Sequence, residues 1–111
     1  MSEQQTKRGK FKEIDLQGKT IEEYCKEYCI SRGEEKDDDE TWREFFFDMY
    51  WEDFFVVNDR LFQLIAVEKL DGVNYTKIDK EDNGVYSFYS TFYNGGTCLT
   101  ECLENKLEEM L

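Results

Sequence analysis

Residues 85–93 read VYSFYSTFY, nine residues without a glycine, a proline or a charge. β-branched and aromatic side chains at this density suit a pleated, packed surface, so the run is read as a strand. Alternation puts Tyr86, Phe88 and Phe92 on one face and Val85, Tyr89 and Tyr93 on the other. Aromatics on both faces mark a strand inside a sheet. Asn83-Gly84 before the run suits positive φ and a turn, and Asn94-Gly95-Gly96 after it is a stop.

Working backwards, Asp71-Gly72 marks a turn before a short strand, YTKID. Upstream of it, FFVV, Asn58-Asp59 and RLFQLIAVEKL read as a hairpin about a polar two-residue turn. Two helices precede the hairpin. Thr20 with Glu23, and Thr41 with Glu44, are each a capping box of the form T-x-x-E. The first box opens a helix with Ile21, Tyr24, Cys25, Tyr28 and Cys29 on one face, stopped at Gly33. The second opens a helix whose main stripe is Trp42, Phe45, Phe46, Met49 and Tyr50, with Phe47 and Trp51 off that stripe. Past residue 94, Thr97 is placed to cap a third helix with Leu99, Cys102, Leu103, Leu107, Met110 and Leu111 as its apolar stripe.

The expected fold is therefore α+β: two N-terminal helices, a four-stranded, mostly antiparallel sheet and one C-terminal helix. Residues 1–10, polar and without periodicity, read as a flexible tail, and residues 11–111 as a single domain. Phe11, Ile14 and Leu16 add a short extended segment at its start.

Charge is the outstanding compositional fact. The chain has 111 residues, 26 acids against 14 Lys/Arg and a formal net charge of −12. Residues 1–19 carry five Lys/Arg and three acids, so the whole deficit lies beyond them. Such a field repels nucleic acid and anionic membrane and steers a protein toward basic surfaces. No apolar run approaches the length of a membrane helix, and the polar N-terminus lacks the apolar core of a secretory signal. The expected setting is the cytoplasm, where the four cysteines stay reduced.

Catalysis finds little support. Histidine is absent, which removes the commonest general base. There is no nucleophile elbow and no phosphate-binding glycine loop. Asn94-Gly95-Gly96 before a helix has the form of an anion site, but the surrounding charge opposes one. Asp79-x-Glu81-x-Asn83-Gly84 imitates the start of a calcium loop, yet Ser90 stands where a bidentate glutamate is needed, so it reads as a turn. Cys25/Cys29 and Cys98/Cys102 are C-x-x-x-C pairs on helices. Four thiolates from two packed helices would suit a structural Zn²⁺ site; both pairs also fall within apolar stripes, where cysteine is an ordinary core residue. No cofactor is expected. Tyr89 and Tyr93 on one strand face suggest an RNA-stacking sheet, against which the acidic surround argues.

The binding candidates are carboxylates. The connector EEKDDDE supplies Glu34, Glu35, Asp37, Asp38, Asp39 and Glu40, and the last helix adds Glu104, Glu108 and Glu109. In size, acidity and compact α+β character the chain resembles small proteins of phages and mobile elements. Many of those inhibit host defence, among them anti-CRISPR proteins and DNA mimics that block restriction enzymes. The resemblance is one of profile and implies that carboxylates on a rigid surface imitate phosphates and occupy a basic nucleic-acid channel. The implied partner is a protein with a basic surface, such as a nucleic-acid-binding protein, with no direct contact to nucleic acid or membrane. A different class remains open: a self-associating scaffold using Trp42, Phe47 and Trp51, which makes monomer or homodimer the states to distinguish. A Cys₄ zinc-stabilised domain is the third.

Overall fold

The structure, a computed structural model, describes residues 3–69, 75–94 and 98–111. Its elements are β1 (Glu3–Glu13), α1 (Ile21–Ser31), α2 (Trp42–Tyr50), β2 (Phe54–Val57), β3 (Arg60–Lys69), β4 (Lys77–Lys80), β5 (Val85–Asn94) and α3 (Leu99–Met110). The class is α+β, as the sequence implies, but among the described residues the sheet has five strands, not four, in the order β2-β3-β1-β5-β4, and every pair is antiparallel.

The added strand corrects the N-terminal reading. Residues 1–10 were expected as a flexible tail; Glu3–Glu13 is instead the middle strand, bonded to β3 on one side and β5 on the other. A middle strand is held by main-chain hydrogen bonds at both edges, so its side chains need not be apolar. Contacts also divide the expected single domain into two compact units. One joins Met1–Ile14 with Glu52–Leu111; the other is Asp15–Trp51.

The first unit buries its core on one face of the sheet. Phe11, Phe55, Phe62, Ile78, Tyr86 and Phe88 meet Leu103 and Leu107 of α3 there. Phe11 sits at the centre, stacked on Tyr86 at 4.9 Å and edge-on to Phe55 and Phe62 at 5.2 and 5.8 Å. The expected hairpin is present, with Asn58 and Asp59 both at positive φ and Val57 opposite Arg60. Primed two-residue turns demand such φ values because their twist matches that of the strands. Asn83 and Gly84 also take positive φ and turn β4 into β5, so the calcium-loop imitation is a turn. Between Lys10 and Phe11 the register with β3 shifts by one residue, a bulge at Ile65. There the strands close on Gly9: a Cβ on it would lie 1.9 Å from the Ala66 carbonyl oxygen, so no larger residue fits.

α3 begins at Leu99 with Cys98 as its N-cap, and the Cys98 side chain makes no capping bond. The expected Thr97 cap, the Gly95-Gly96 stop and the Asp71-Gly72 turn lie outside the described residues, as do the side chains of Phe92 and Tyr93. The α3 stripe is shorter than its sequence pattern: Met110 and Leu111 are 45% and 42% exposed.

Glu104 on α3 is half-buried, and its carboxyl is raised above the ordinary range, first by burial and then by Glu101 and Glu108. A carboxylate whose folded pKa exceeds its unfolded one favours the fold below the unfolded value and loses that contribution as pH rises through the folded one. Glu104→Gln is therefore expected to raise the melting temperature at pH 7 by about 2–5 °C, with no gain at pH 3.5. Thermal unfolding at the two pH values checks this.

Candidate partner-binding surface

The acidic connector lies in the second unit, between α1 and α2, and both of its ends are fastened. At the leading end Gly33 takes φ 75°. The Gly33 N–H donates to Ile30 O and the Glu34 N–H to Cys29 O, each at 3.0 Å. This pair of bonds is a Schellman stop, which needs a left-handed residue that glycine supplies without strain. At the far end the Thr41 hydroxyl accepts from the Glu44 N–H at 3.1 Å. The matching cap at Thr20 accepts from Glu23 at 3.1 Å.

A third fastening was not legible as a motif. Glu22 of α1 accepts from the Trp42 N–H at 2.7 Å and the Arg43 N–H at 3.1 Å. The first N–H groups of a helix have no partner within it, and its positive end favours a carboxylate. Glu22 thus joins the start of α2 to α1 across the connector. Removing it with Glu22→Ala is expected to cost about 1–2 kcal/mol, read as a lower urea midpoint at unchanged slope.

Aromatic packing completes the helix pair. Phe46 is fully buried, with Tyr28 at 5.3 Å and Tyr50 at 5.2 Å between ring centres. The Tyr50 hydroxyl donates to the Glu34 carboxylate, 2.8 Å from either oxygen. Arg32 lies 5.5 Å from both the Tyr28 and Tyr50 rings and 3.9 Å from Glu34.

These bonds sort the six connector acids. Glu34 is tied into the helix pair and is not free to meet a partner. Glu40 is half-buried, and its carboxyl is raised, first by desolvation and then by Asp48 and Asp37. Glu35, Asp37, Asp38 and Asp39 are exposed and form the available display. Lys36 folds back, its ammonium 5.2 Å from the Trp42 ring centre and donating to the Asp37 carbonyl at 3.1 Å. A shallow groove runs here between Ile30, Glu35, Asp38 and Trp42.

Of the expected interface aromatics, Trp42 and Phe47 are partly buried, Phe47 lying 5.1 Å from Phe46, while Trp51 is 48% exposed. Met49, expected within the buried stripe, is 48% exposed, and Ile30 is 52% exposed. Neither was singled out as a contact residue. Burial depends on which turn of a short helix meets its neighbour, and spacing alone does not say. On α3, in the other unit, Glu108 and Glu109 are exposed; Glu109 lies 3.5 Å from Lys106.

Among the described residues no three His, Cys, Asp or Glu side chains are grouped to hold an ion. All four thiols are free. Cys25 is buried and pushed up to about 12, chiefly by desolvation and then by Cys29 and Glu22. Burial also raises Cys29 and Cys102. Cys25 and Cys29 are thus buried thiols held in their protonated form, poorly suited to act as nucleophiles.

On the sheet face opposite the core, Tyr89 lies in register between Arg8 and Lys77. Its neighbours are thus basic, where the sequence reading expected an acidic surround. Those cations already have carboxylates, with Arg8 paired to Glu68, Lys10 to Glu81 at 3.3 Å and Lys77 to Asp79 at 3.7 Å. A phosphate backbone would have to displace these anions, so the face is a poor RNA platform.

No helix among the described residues is long and apolar enough to cross a membrane. No family model, no curated protein and no solved structure matches this chain.

Proposed function

We propose that the protein is a small acidic inhibitor that binds a nucleic-acid-binding protein of a host defence system, such as a CRISPR effector or restriction enzyme, and covers its basic surface. The supporting observation is the run of exposed carboxylates, Glu35, Asp37, Asp38 and Asp39, on a connector fastened at both ends. A fastened loop loses less freedom on binding than a free one, so more of its electrostatic attraction appears as affinity. Attraction of this kind speeds association and weakens with salt. Glu108 and Glu109 add exposed charge on α3. The reading carries with it a phage or mobile-element origin, work in the host cytoplasm, and action by contact without catalysis.

The test is retention of host-lysate proteins on the immobilised chain, compared with a variant carrying Glu35→Gln, Asp37→Asn, Asp38→Asn and Asp39→Asn. The intact chain is expected to hold a nucleic-acid-binding protein at low salt and to release it to high salt or added DNA. The variant should hold at least about tenfold less, since each lost charge pair is worth a few tenths of a kcal/mol or more. Equal retention by both chains, or no such protein retained, ends the reading.

A second reading, self-association through α2, is favoured by Met49 and Trp51, each 48% exposed on or beside one short helix. A partner copy would cover this exposed apolar surface. Light scattering decides it: a chain that stays monomeric across the accessible concentration range has no such interface.

A further inference from the structure

Within the acidic connector a cation is already seated on an aromatic ring. The Lys36 ammonium lies 5.2 Å from the Trp42 ring centre, inside the roughly 6 Å over which the ring face attracts positive charge. Its hydrogen bond goes to the Asp37 carbonyl at 3.1 Å, and among the described residues it pairs with no carboxylate. The acids beside it are therefore left over. Glu35 and Asp38 are exposed, and among the described residues neither has a hydrogen-bond or ion-pair partner.

These groups line one groove. Ile30, Glu35, Lys36, Asp38 and Trp42 surround a space of about 510 Å³, within the roughly 300–1,000 Å³ of clefts that hold small groups. Ile30 is 52% exposed on its wall. The Gly33 stop and the bonds from Trp42 and Arg43 to Glu22 fix both sides, so the groove is formed before any partner arrives. An aromatic face, an open aliphatic side chain and two unpaired carboxylates match a side chain with a flat cationic head and an apolar stem. Arginine has both. Its guanidinium stacks on an aromatic face, its N–H fork meets a carboxylate, and its methylenes cover apolar surface. A partner's lysine would only exchange one ammonium for another on the ring.

We infer that this groove receives an arginine side chain of the partner protein, with the guanidinium on Trp42, its fork on Glu35 or Asp38 and its stem along Ile30. Lys36 is an internal placeholder: it covers the ring in the free chain, and the arginine binds by taking its place. In the function proposed above the connector meets a basic protein surface, on which this inference rests; the groove adds the residue type recognised there. A second copy of this chain fits poorly, since two chains of −12 repel and Arg8 and Arg60 are already paired with Glu68 and Glu13.

The probe is an acetylated, amidated tripeptide, Gly-Arg-Gly, titrated into the ¹⁵N-labelled full chain. Saturable shifts are expected at the Trp42 indole N–H and at the amides of Glu35 to Asp38. Citrulline in place of the arginine keeps the shape without the charge and should weaken binding about tenfold, and lysine about threefold. Glu35→Gln with Asp38→Asn, two exposed changes that leave the helix pair folded, should also weaken it about tenfold. Lys36→Gln should tighten binding about threefold, the worth of the displaced ring contact. That ratio should persist at about 1 M salt, where a Debye length of about 3 Å screens a mere change of net charge. No saturable shift at Trp42, undiminished binding of the citrulline or lysine peptide or by the double variant, or a Lys36→Gln gain that vanishes in salt overturns the inference. Concentration-dependent shifts at Trp42 without peptide also overturn it, by making the occupant a second copy. A chain that retains its host protein from lysate yet shows no shift at Trp42 keeps the proposed function and loses this inference.

Discussion

A chain lacking residues 1–10 is expected to show no cooperative unfolding of its sheet. Among the described residues β1 is the only strand joining β2-β3 to β5-β4, and residues 3–10 supply most of its register with β5. Without them β3 and β5 each expose a long edge, and the sheet parts into two hairpins. An isolated two-stranded hairpin is marginal at best in water. Total stabilities of about 5–15 kcal/mol leave no reserve for losing the middle of a sheet. Far-UV circular dichroism against temperature and the amide dispersion of a ¹⁵N spectrum measure the outcome. A truncated chain with the transition of the intact one would mean that these residues are dispensable, as a tail would be.

The contrast shows which physical signals the sequence carried. The hairpin at Asn58-Asp59, both capping boxes, the Gly33 stop and strand β5 were legible because each depends on local chemistry: positive φ, an orphan N–H, or aromatic density. β1 has no such mark. Its polar residues, Lys7, Arg8, Lys10 and Lys12, resemble a solvated arm, because the strand is held through its main chain and one of its faces is open. Its trace in the sequence was Gly9 with Phe11, a bare backbone position two residues from a large aromatic on the same strand face. The acidic connector was legible as a charge run, but its division was not. Glu34 is spent on Tyr50, a contact that arises only once the two helices pack, and Glu40 lies beside Asp48 of α2. Glu22, which fastens the connector from a distance of 20 residues in sequence, read as an ordinary first-turn acid.

Phe11→Ala is the matching experiment on a single side chain, expected to cost about 3–5 kcal/mol, the range for removing a buried phenylalanine. Phe11 is fully buried and touches aromatic residues from β2, β3 and β5, so its loss leaves a cavity that no one neighbour can fill. Phe11→Leu keeps much of the volume and gives up the ring contacts, so a smaller cost of about 1–2 kcal/mol is expected. Ile65→Ala, on the exposed part of β3, should fall within about 0.5 kcal/mol of the intact chain. If Phe11→Ala and Ile65→Ala cost the same, residue 11 is not in a core at all. The readout also separates the two units. Both tryptophans, Trp42 and Trp51, belong to Asp15–Trp51, whereas Phe11 belongs to the sheet. Urea unfolding followed by tryptophan fluorescence therefore reports the helix pair, and the dispersed strand amides report the sheet. Phe11→Ala must lower the sheet midpoint; the fraction of that loss that reaches the tryptophan signal measures how strongly the two units are coupled.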